Sequence, residues 1–244
     1  MAVVSGAAQG IGAAVCARLA ADGATIAALD VDEHGLKELS ATVPDVLAQI
    51  CDVRDPRAVQ AAISHAERDA GPIAIAVSVA GVLRSGPVTA LTEPDLRELF
   101  AVNTMGVIHL CQAVTGLMIS RRAGAIITVA SNAAHVPRIG LAGYGASKAA
   151  ALAFTRHLAL EVAEYGIRCN SVSPGSTDTP MLAMLTTPEQ AIAGDPARFR
   201  LGIPLRRIAH PHDIADAVAW LASDQARHVT MQDLVIDGGA SLTG

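Results

Sequence analysis

Short apolar runs alternate with stretches of helical periodicity along almost the whole chain. The apolar runs have the length of buried strands and lie at 2–5, 25–30, 46–51, 74–79, 125–130, 167–172 and 233–236. Stretches with apolar residues at helical spacing lie near 11–22, 56–70, 94–118, 144–164 and 211–223. This alternation predicts an α/β fold, in which right-handed crossovers place helices on both faces of a doubly wound, seven-stranded parallel sheet.

The composition favours one domain with a core of small aliphatic side chains. Hydrophobic residues make up 51% of the 244 residues but aromatic residues only 2%, so Ala, Val, Ile and Leu must fill the interior. Such residues suit a parallel sheet that is buried on both faces. Because no Pro/Ser/Gly-rich linker divides the chain, residues 1–244 are predicted to form a single domain.

Charge, cysteine and hydropathy patterns argue against several classes of function. The net charge is −5 and the charges are scattered, so we expect no nucleic-acid partner. The four cysteines show no spacing for zinc or a small disulfide framework, so we expect no metal site. The chain begins on its first predicted strand and no apolar run reaches transmembrane length, so we expect a cytoplasmic protein without a membrane partner.

Three glycines lie between the first predicted strand and the first predicted helix. The run reads Ser5-Gly6-Ala7-Ala8-Gln9-Gly10-Ile11-Gly12. A helix N-terminus offers N–H groups and the positive end of a dipole to a phosphate, and glycines let the backbone approach it closely. The spacing differs from the common dinucleotide fingerprint, so a turn that only packs the helix on the sheet is an alternative interpretation.

Asp30 ends the second predicted strand, eighteen residues after Gly12. In a βαβ unit a carboxylate at this place can accept hydrogen bonds from both ribose hydroxyls of an adenosine. Asp32 and Glu33 follow, and no Arg or Lys lies in the glycine loop or directly after Asp30 to neutralise a 2′-phosphate. The expected cofactor is therefore NAD, and charge repulsion disfavours NADP.

Tyr144 and Lys148 stand four residues apart, with Ser131 upstream. Positions i and i+4 share one face of a helix, so the phenol and the ammonium point into the same space. Lowering a tyrosine pKa from ~10 to ~7 takes ~4 kcal/mol, which a nearby cation and a bound positive ring can supply. The pair therefore indicates a catalytic base, although this spacing also arises by chance on many helices.

With these elements in this order, the chain resembles the short-chain dehydrogenase/reductase family over essentially its whole length. The resemblance implies a Rossmann-type fold, a small-molecule substrate and the catalytic set Asn103, Ser131, Tyr144 and Lys148. Asn103 is expected to position Lys148 through a water relay. The implied cofactor contacts are Ser5, Gly6, Gln9, Gly10, Ile11, Gly12, Asp30, Val31, Asp52, Val53, Ala80, Gly81, Tyr144, Lys148, Pro174, Gly175, Thr177 and Thr179.

The same resemblance implies a homotetramer. The helix at 144–164 and the strand at 233–236 are expected to form its two main interfaces, because their small and apolar outer positions suit close packing between subunits.

Two positions depart from the family's usual pattern. Ser5 stands where Thr is usual, and it keeps the hydroxyl. Ser78-Val79 stands where two asparagines are usual, which removes amide hydrogen bonds that brace the central strands. We expect lower local rigidity at this place and unimpaired catalysis.

Three stretches beside the expected substrate space, 129–140, 173–179 and 201–205, narrow the resemblance. They are similar to family members that oxidise a dihydrodiol of a cyclohexadiene carboxylic acid in catechol siderophore synthesis, which implies the same function here. A dehydrogenase of the 2-amino analogue would look much the same. Asp30 disfavours a 3-oxoacyl reductase that uses NADPH, and the intact catalytic set disfavours a non-catalytic dinucleotide-binding sensor.

The carboxylate of such a substrate needs a partner, because an unpaired buried charge is costly. The candidate anchors are Arg138, in the loop before Tyr144, and Arg84, after the Ala80-Gly81 turn, although either can be a surface charge. Met181 is expected to contact the substrate as part of a mobile lid, with an ordinary helix face as the alternative.

Overall fold

The computed structural model describes residues 1–241 and contains a seven-stranded parallel sheet in the order β3-β2-β1-β4-β5-β6-β9. The strands are β1 Ala2–Ser5, β2 Ile26–Asp30, β3 Val46–Ile50, β4 Ile75–Ser78, β5 Gly124–Val129, β6 Ile167–Pro174, β7 Gly194–Asp195, β8 Arg200–Leu201 and β9 Asp233–Ile236. β7 and β8 form a separate antiparallel pair. The predicted doubly wound parallel sheet is confirmed.

Helices cover both faces of this sheet, because successive strand residues face opposite sides. The helices are α1 Gly10–Ala21, α2 Glu33–Thr42, α3 Pro56–Asp69, α4 Glu93–Phe100, α5 Gly106–Arg121, α6 Ala142–Val162, α7 Pro180–Ala183, α8 Pro188–Ala193 and α9 Pro211–Ala222. Val4 points into the core formed with α1, α2 and α9, whereas Val3 points into the core formed with α3, α5 and α6. Each face of the sheet is therefore buried under aliphatic side chains.

The helix α2 was missed by the sequence pattern. Asp32 caps its N-terminus, accepting hydrogen bonds from the N–H groups of His34 and Gly35. Only Gly35, Leu36 and Leu39 of this helix are buried. With so few buried residues, the hydrophobic periodicity of this helix is weak. The N-cap residue Asp32 is the clearer indication of a helix in the sequence.

The stretch Glu93–Arg121 is long and apolar enough to cross a membrane, with a mean hydropathy of 1.4 in its most apolar window. Half of that window is buried, and α5 places Val107, Leu110 and Val114 in the core beneath the sheet. It is therefore a core helix. A π-helical turn at Ala101–Met105 joins α4 to α5 within it.

The direction of strand order reverses between β1 and β4, since the chain winds outward from β1 to β3 and then returns to the other side of β1. Parallel strands leave a crevice at their carboxyl ends where the order reverses. The segment between β6 and α9 contains α7, α8 and the β7–β8 hairpin. Its residues line a cavity together with those of the β5–α6 loop.

Candidate active site

The glycine loop leaves no room for side chains. Gly6 and Gly10 have left-handed φ angles of +69° and +56°. A Cβ atom at Gly12 would stand 1.8 Å from the carbonyl oxygen of Gly6, and one at Gly6 would stand 2.5 Å from the backbone nitrogen of Ala80. Bare backbone therefore surrounds the N-terminus of α1, which is the cradle that a pyrophosphate requires.

A cavity of about 410 Å³ extends from this loop across the carboxyl ends of β2 and β3. Asp30 lies at its rim, where its carboxylate accepts hydrogen bonds from the N–H groups of Ala8 at 2.9 Å and Asp32 at 3.0 Å. Asp52 and Val53, two of the expected cofactor contacts, also line it. The shape and donor set fit the adenosine half of a dinucleotide.

Arg54 is a residue of this cavity that the sequence motifs did not indicate. Its guanidinium donates three hydrogen bonds to the Asp52 carboxylate, the shortest at 2.6 Å. Hydrogen bonds from the Arg54 side chain hold the pKa of Asp52 below its ordinary value. Because this arginine is already engaged by a carboxylate, its charge is partly neutralised toward any ligand in the cavity.

Ser131, Tyr144 and Lys148 are all buried and line a second cavity. The Lys148 ammonium donates a hydrogen bond of 3.0 Å to the Val129 carbonyl at the end of β5. Burial lowers the pKa of Lys148 to about 8. Burial also raises the pKa of Tyr144, and a hydrogen bond with Ser131 opposes this rise. For the Tyr144 pKa, the effect of desolvation therefore outweighs that of Ser131.

Asn103 lies in the π-helical turn, a geometry that often marks functional sites. Its amide exchanges two hydrogen bonds with the backbone of Val82, at 2.8 and 3.0 Å, and donates a third to the Ser147 hydroxyl at 3.0 Å. Ser147 in turn donates to the Tyr144 carbonyl. Asn103 thus ties the turn after β4 to helix α6, and its relay to Lys148 stays a prediction.

The second cavity measures about 730 Å³ and shares several walls with the first. Met181 and Thr179 line both cavities, so they stand at the junction between the dinucleotide and substrate spaces. Other predicted residues that line the larger cavity are Ser131, Arg138, Tyr144, Lys148, Pro174, Gly175 and Thr177. The structure therefore brings the separate predicted motifs into one continuous cleft.

Ser5 has a different position from the other predicted cofactor residues. It is buried in β1, and its carbonyl accepts hydrogen bonds of 3.1 Å from the N–H groups of Val79 and Ala80. The remaining predicted cofactor positions line one of the two cavities. Ser5 therefore holds the turn after β4 through its backbone.

Comparison with known proteins identifies the family. The family model described as Enoyl-(Acyl carrier protein) reductase matches residues 6–241. The 2,3-dihydro-2,3-dihydroxybenzoate dehydrogenase of Bacillus subtilis is 48% identical over 99% of this chain and 96% of that protein. The vibriobactin-specific 2,3-dihydro-2,3-dihydroxybenzoate dehydrogenase of Vibrio cholerae is 41% identical over 97% of this chain and 94% of that protein.

A solved structure of a short chain dehydrogenase/reductase family protein is 32% identical, with a TM-score of 0.87 and coverage of 99% of this chain and 97% of that one. The chain belongs to the short-chain dehydrogenase/reductase family. Proteins of this Rossmann-type family bind a nicotinamide dinucleotide, which agrees with the glycine cradle and the two joined cavities.

One departure from the usual family pattern has a visible consequence. The Ser78 hydroxyl, at the carboxyl end of β4, is buried without a hydrogen-bond partner among the described residues 1–241. The hydroxyl of Ser171 in β6 is in the same state. An unpaired buried hydroxyl costs free energy, so this part of the sheet lacks a brace that an amide side chain would provide.

The two arginines proposed as carboxylate anchors have different surroundings. Arg84 turns toward α4, where it pairs with Glu98 at 2.5 Å and approaches Asp95 at 3.5 Å. Arg138 lines the substrate cavity. These ion pairs explain why Arg84 is a poor candidate anchor, since its charge is already matched by two carboxylates.

Two further arginines line the substrate cavity, and sequence reasoning missed them. They are Arg198, which lies just before β8, and Arg200, which is the first residue of β8. The segment has no hydrophobic period, so it carried no strand or helix signal. Arg198 ends a 3-10 turn and Phe199 has a left-handed backbone, so no regular period along the sequence relates the two arginines.

Proposed function

We propose that this protein oxidises 2,3-dihydro-2,3-dihydroxybenzoate to 2,3-dihydroxybenzoate, with NAD as the hydride acceptor, in catechol siderophore synthesis. The observation that carries the proposal is the 48% identity to the Bacillus subtilis dehydrogenase over 99% of the chain. The cleft supports it, because Ser131, Tyr144 and Lys148 line a cavity large enough for a single-ring acid.

Tyr144 acts as the general base of the proposed reaction. Its phenol and the Ser131 hydroxyl line the same substrate cavity, so a ring hydroxyl can reach both groups. Tyr144 takes the hydroxyl proton, while Ser131 donates a hydrogen bond to the substrate oxygen. A nicotinamide held beside Thr179 and Met181 would supply the hydride acceptor for the same carbon.

Lys148 supplies the charge that makes Tyr144 an effective base. Burial raises the pKa of the Tyr144 phenol, so its anion must be stabilised by a nearby cation. The pKa of Lys148 is about 8, which leaves the ammonium mostly protonated at neutral pH. Asn103 supports this arrangement by fixing the first turns of α6 through Ser147.

The reaction removes one proton and one hydride from a single carbinol. The O–H and C–H bonds break and a carbonyl forms, giving an enone acid. That product tautomerises to the aromatic catechol, and aromatisation makes the oxidation effectively one-way. The 2-amino analogue would aromatise in the same manner, so it is a necessary comparison substrate.

Asp30 favours NAD over NADP in this proposal. Its carboxylate is held at the rim of the adenosine cavity by two backbone N–H groups, where a 2′-phosphate would meet a fixed negative charge. Arg54, the one arginine among the described residues that line this cavity, is engaged with Asp52. Both observations support binding of an unphosphorylated ribose.

We propose that the protein works as a cytoplasmic homotetramer, with helix α6 and strand β9 at its interfaces. β9 is the last strand of the sheet, and its Val235 is 39% exposed. On α6, Leu160 is 67% exposed. Exposed apolar side chains on an open sheet edge and a long helix support burial against other subunits. Sedimentation at micromolar concentration tests this, and a monomer would contradict it.

Steady-state assays test the proposed reaction. The purified protein is given NAD with either the dihydrodiol acid or its 2-amino analogue, and formation of NADH is followed. We expect a higher kcat/KM for the dihydrodiol acid than for its 2-amino analogue. We also expect little activity when NADP replaces NAD. Reduction of an enoyl or 3-oxoacyl thioester by NADPH, without oxidation of either ring acid, would refute the proposal.

A further inference from the structure

Three arginine side chains from two separate segments line the substrate cavity. Arg138 belongs to the loop between β5 and α6, whereas Arg198 and Arg200 belong to the segment that forms the β7–β8 hairpin. Arg138 and Arg200 are half-buried. The two segments meet here, since a guanidinium nitrogen of Arg198 lies 3.5 Å from the Ile139 carbonyl.

The charges of these arginines are poorly compensated. None of the ion pairs formed within residues 1–241 includes Arg138, Arg198 or Arg200. Burial lowers the pKa of Arg138, and the charge of Arg200 lowers it further. Burial lowers the pKa of Arg200 too, and Arg198 adds to that effect.

Two carboxylates act on these arginines from a distance beyond an ion pair. Asp237 raises the pKa of Arg138, and Asp195 raises that of Arg200, but neither effect outweighs burial and the neighbouring positive charge. Arginine stays protonated in proteins, so the cavity wall keeps an excess of positive charge. Neighbouring positive charges on this wall repel one another, and an anion in the cavity would relieve that repulsion.

We propose that Arg138 and Arg200 together clamp the carboxylate of a single-ring acid. This inference rests on the proposed function and names the residues that select its substrate. Planar guanidinium groups match a carboxylate through paired hydrogen bonds, and two of them can hold its two oxygens from opposite segments. Arg198 joins the two segments by its contact with Ile139 and adds a third positive charge.

The position of Arg200 relates the clamp to the reacting groups. Its guanidinium donates a hydrogen bond of 3.1 Å to the Ser176 hydroxyl, which follows directly on Pro174 and Gly175. These residues line the same cavity as Tyr144. A carboxylate held at this end fixes the rotation of the ring, so that a ring hydroxyl faces Tyr144. The clamp is thus expected to select acids over neutral diols.

Kinetics of single and double variants test the clamp. Arg138→Ala and Arg200→Ala are each expected to raise KM for the dihydrodiol acid by about 10- to 100-fold, with kcat within a few-fold of wild type. The double variant should lose less than the product of the two single effects, because both arginines hold one carboxylate. Arg227→Ala is the matched control, since Arg227 is exposed and lies outside both cavity walls.

A binding measurement keeps the test independent of turnover. Calorimetric titration compares 2,3-dihydroxybenzoate with catechol, which lacks the carboxylate. Wild type should bind the acid about 10- to 100-fold more tightly than catechol, and both Ala variants should lose that preference. Arg138→Lys and Arg200→Lys keep the charge without the planar fork, and they are expected to fall between wild type and the Ala variants.

The outcomes separate this proposal from the reaction on which it rests. Normal oxidation of the dihydrodiol acid by both Ala variants, with unchanged KM and unchanged acid preference, would overturn the clamp and leave the proposed function standing. Absence of turnover in wild type, combined with acid binding that depends on both arginines, would refute the proposed function and support the clamp.

Discussion

The two cavities of the cleft are built in different ways. The adenosine cavity is formed around backbone, where a Cβ on Gly6 or Gly12 would overlap other main-chain atoms. The substrate cavity is formed by side chains, including buried Tyr144 and Lys148 and the half-buried Arg138. Close main-chain packing fixes the shape of the adenosine cavity, whereas the properties of the substrate cavity depend on which side chains line it.

This difference indicates how each side can change without loss of the fold. Backbone contacts tolerate almost no substitution, because the main chain cannot move away without shifting β1 or β4. Side-chain contacts can be exchanged one at a time, so substrate choice can vary on a constant cofactor site. The predictions below test this contrast, from the largest expected effect to the smallest.

The largest effect is expected on the substrate side. Tyr144→Phe should lower kcat by about 10²- to 10⁴-fold, because the proton acceptor is lost, while dinucleotide affinity changes little. Turnover at saturating substrate and calorimetric titration with NAD measure the two quantities. Near wild-type turnover in this variant would show that Tyr144 is not the base.

On the cofactor side, one methyl group should impair folding and cofactor binding together. Gly12→Ala places a Cβ 1.8 Å from the Gly6 carbonyl oxygen, and overpacking of this kind costs about 1–3 kcal/mol or more. Gly116→Ala is the matched control, because nothing lies within 4 Å of its added Cβ. Thermal unfolding with and without NAD measures both. Equal behaviour of the two variants would contradict the backbone-fixed cofactor site.

The buried charge of Lys148 should appear as a pH-dependent loss of stability. Its pKa falls from 10.5 to about 8 on folding, so the unfolded chain binds the proton more tightly. Lys148 therefore destabilises the fold below about pH 8, and this penalty disappears as pH rises toward 10.5. Between pH 8 and pH 10.5, the free energy of unfolding of wild type should rise by about 3 kcal/mol relative to that of Lys148→Met.

Denaturant unfolding of both proteins without cofactor, at several pH values, measures this difference. Burial raises the pKa of the four cysteine thiols, so in this range they ionise mainly in the unfolded chain. Both proteins contain these cysteines, so their contribution cancels in the comparison. A constant difference in the free energy of unfolding between pH 7 and 10.5 would show that Lys148 keeps an ordinary pKa when folded.

Cofactor preference should change through two side chains of the adenosine rim. Asp30→Ala combined with Val31→Arg should weaken NAD binding and improve NADP binding, each by about 10- to 100-fold, since a carboxylate is replaced by a phosphate partner. The ratio of kcat/KM values for the two cofactors measures the change. Equal use of both cofactors by wild type would contradict the role given to Asp30.

The smallest effect is expected beneath the junction of the cavities. Ser78→Ala removes a buried hydroxyl without a partner, so stability should rise or stay within about 1 kcal/mol. Thr128→Val is the contrasting control, because Thr128 shares a hydrogen bond of 2.8 Å with Thr155. Denaturant midpoints compare them. A larger loss for Ser78→Ala than for Thr128→Val would indicate an unseen partner of Ser78.

Sequence alone determined the parallel sheet and the cofactor side of the cleft. The glycine loop and Asp30 are strand-end signals, and a strand that turns into a helix places such residues in a fixed geometry. Tyr144 and Lys148 are likewise brought to one face of a single helix by their spacing of four residues. These features could be predicted because each depends on residues that are close together in the sequence.

Only the tertiary structure distinguishes the surroundings of Arg84 from those of Arg138, and only it places Arg54, Arg198 and Arg200 in the cleft. Arg84 is paired with Glu98, fourteen residues away, whereas Arg138 and Arg200 line one cavity although more than sixty residues separate them. Whether a charge is free or paired depends on neighbours that the fold brings together. The proposed recognition of the substrate carboxylate therefore depends on contacts between loops that are far apart in the sequence.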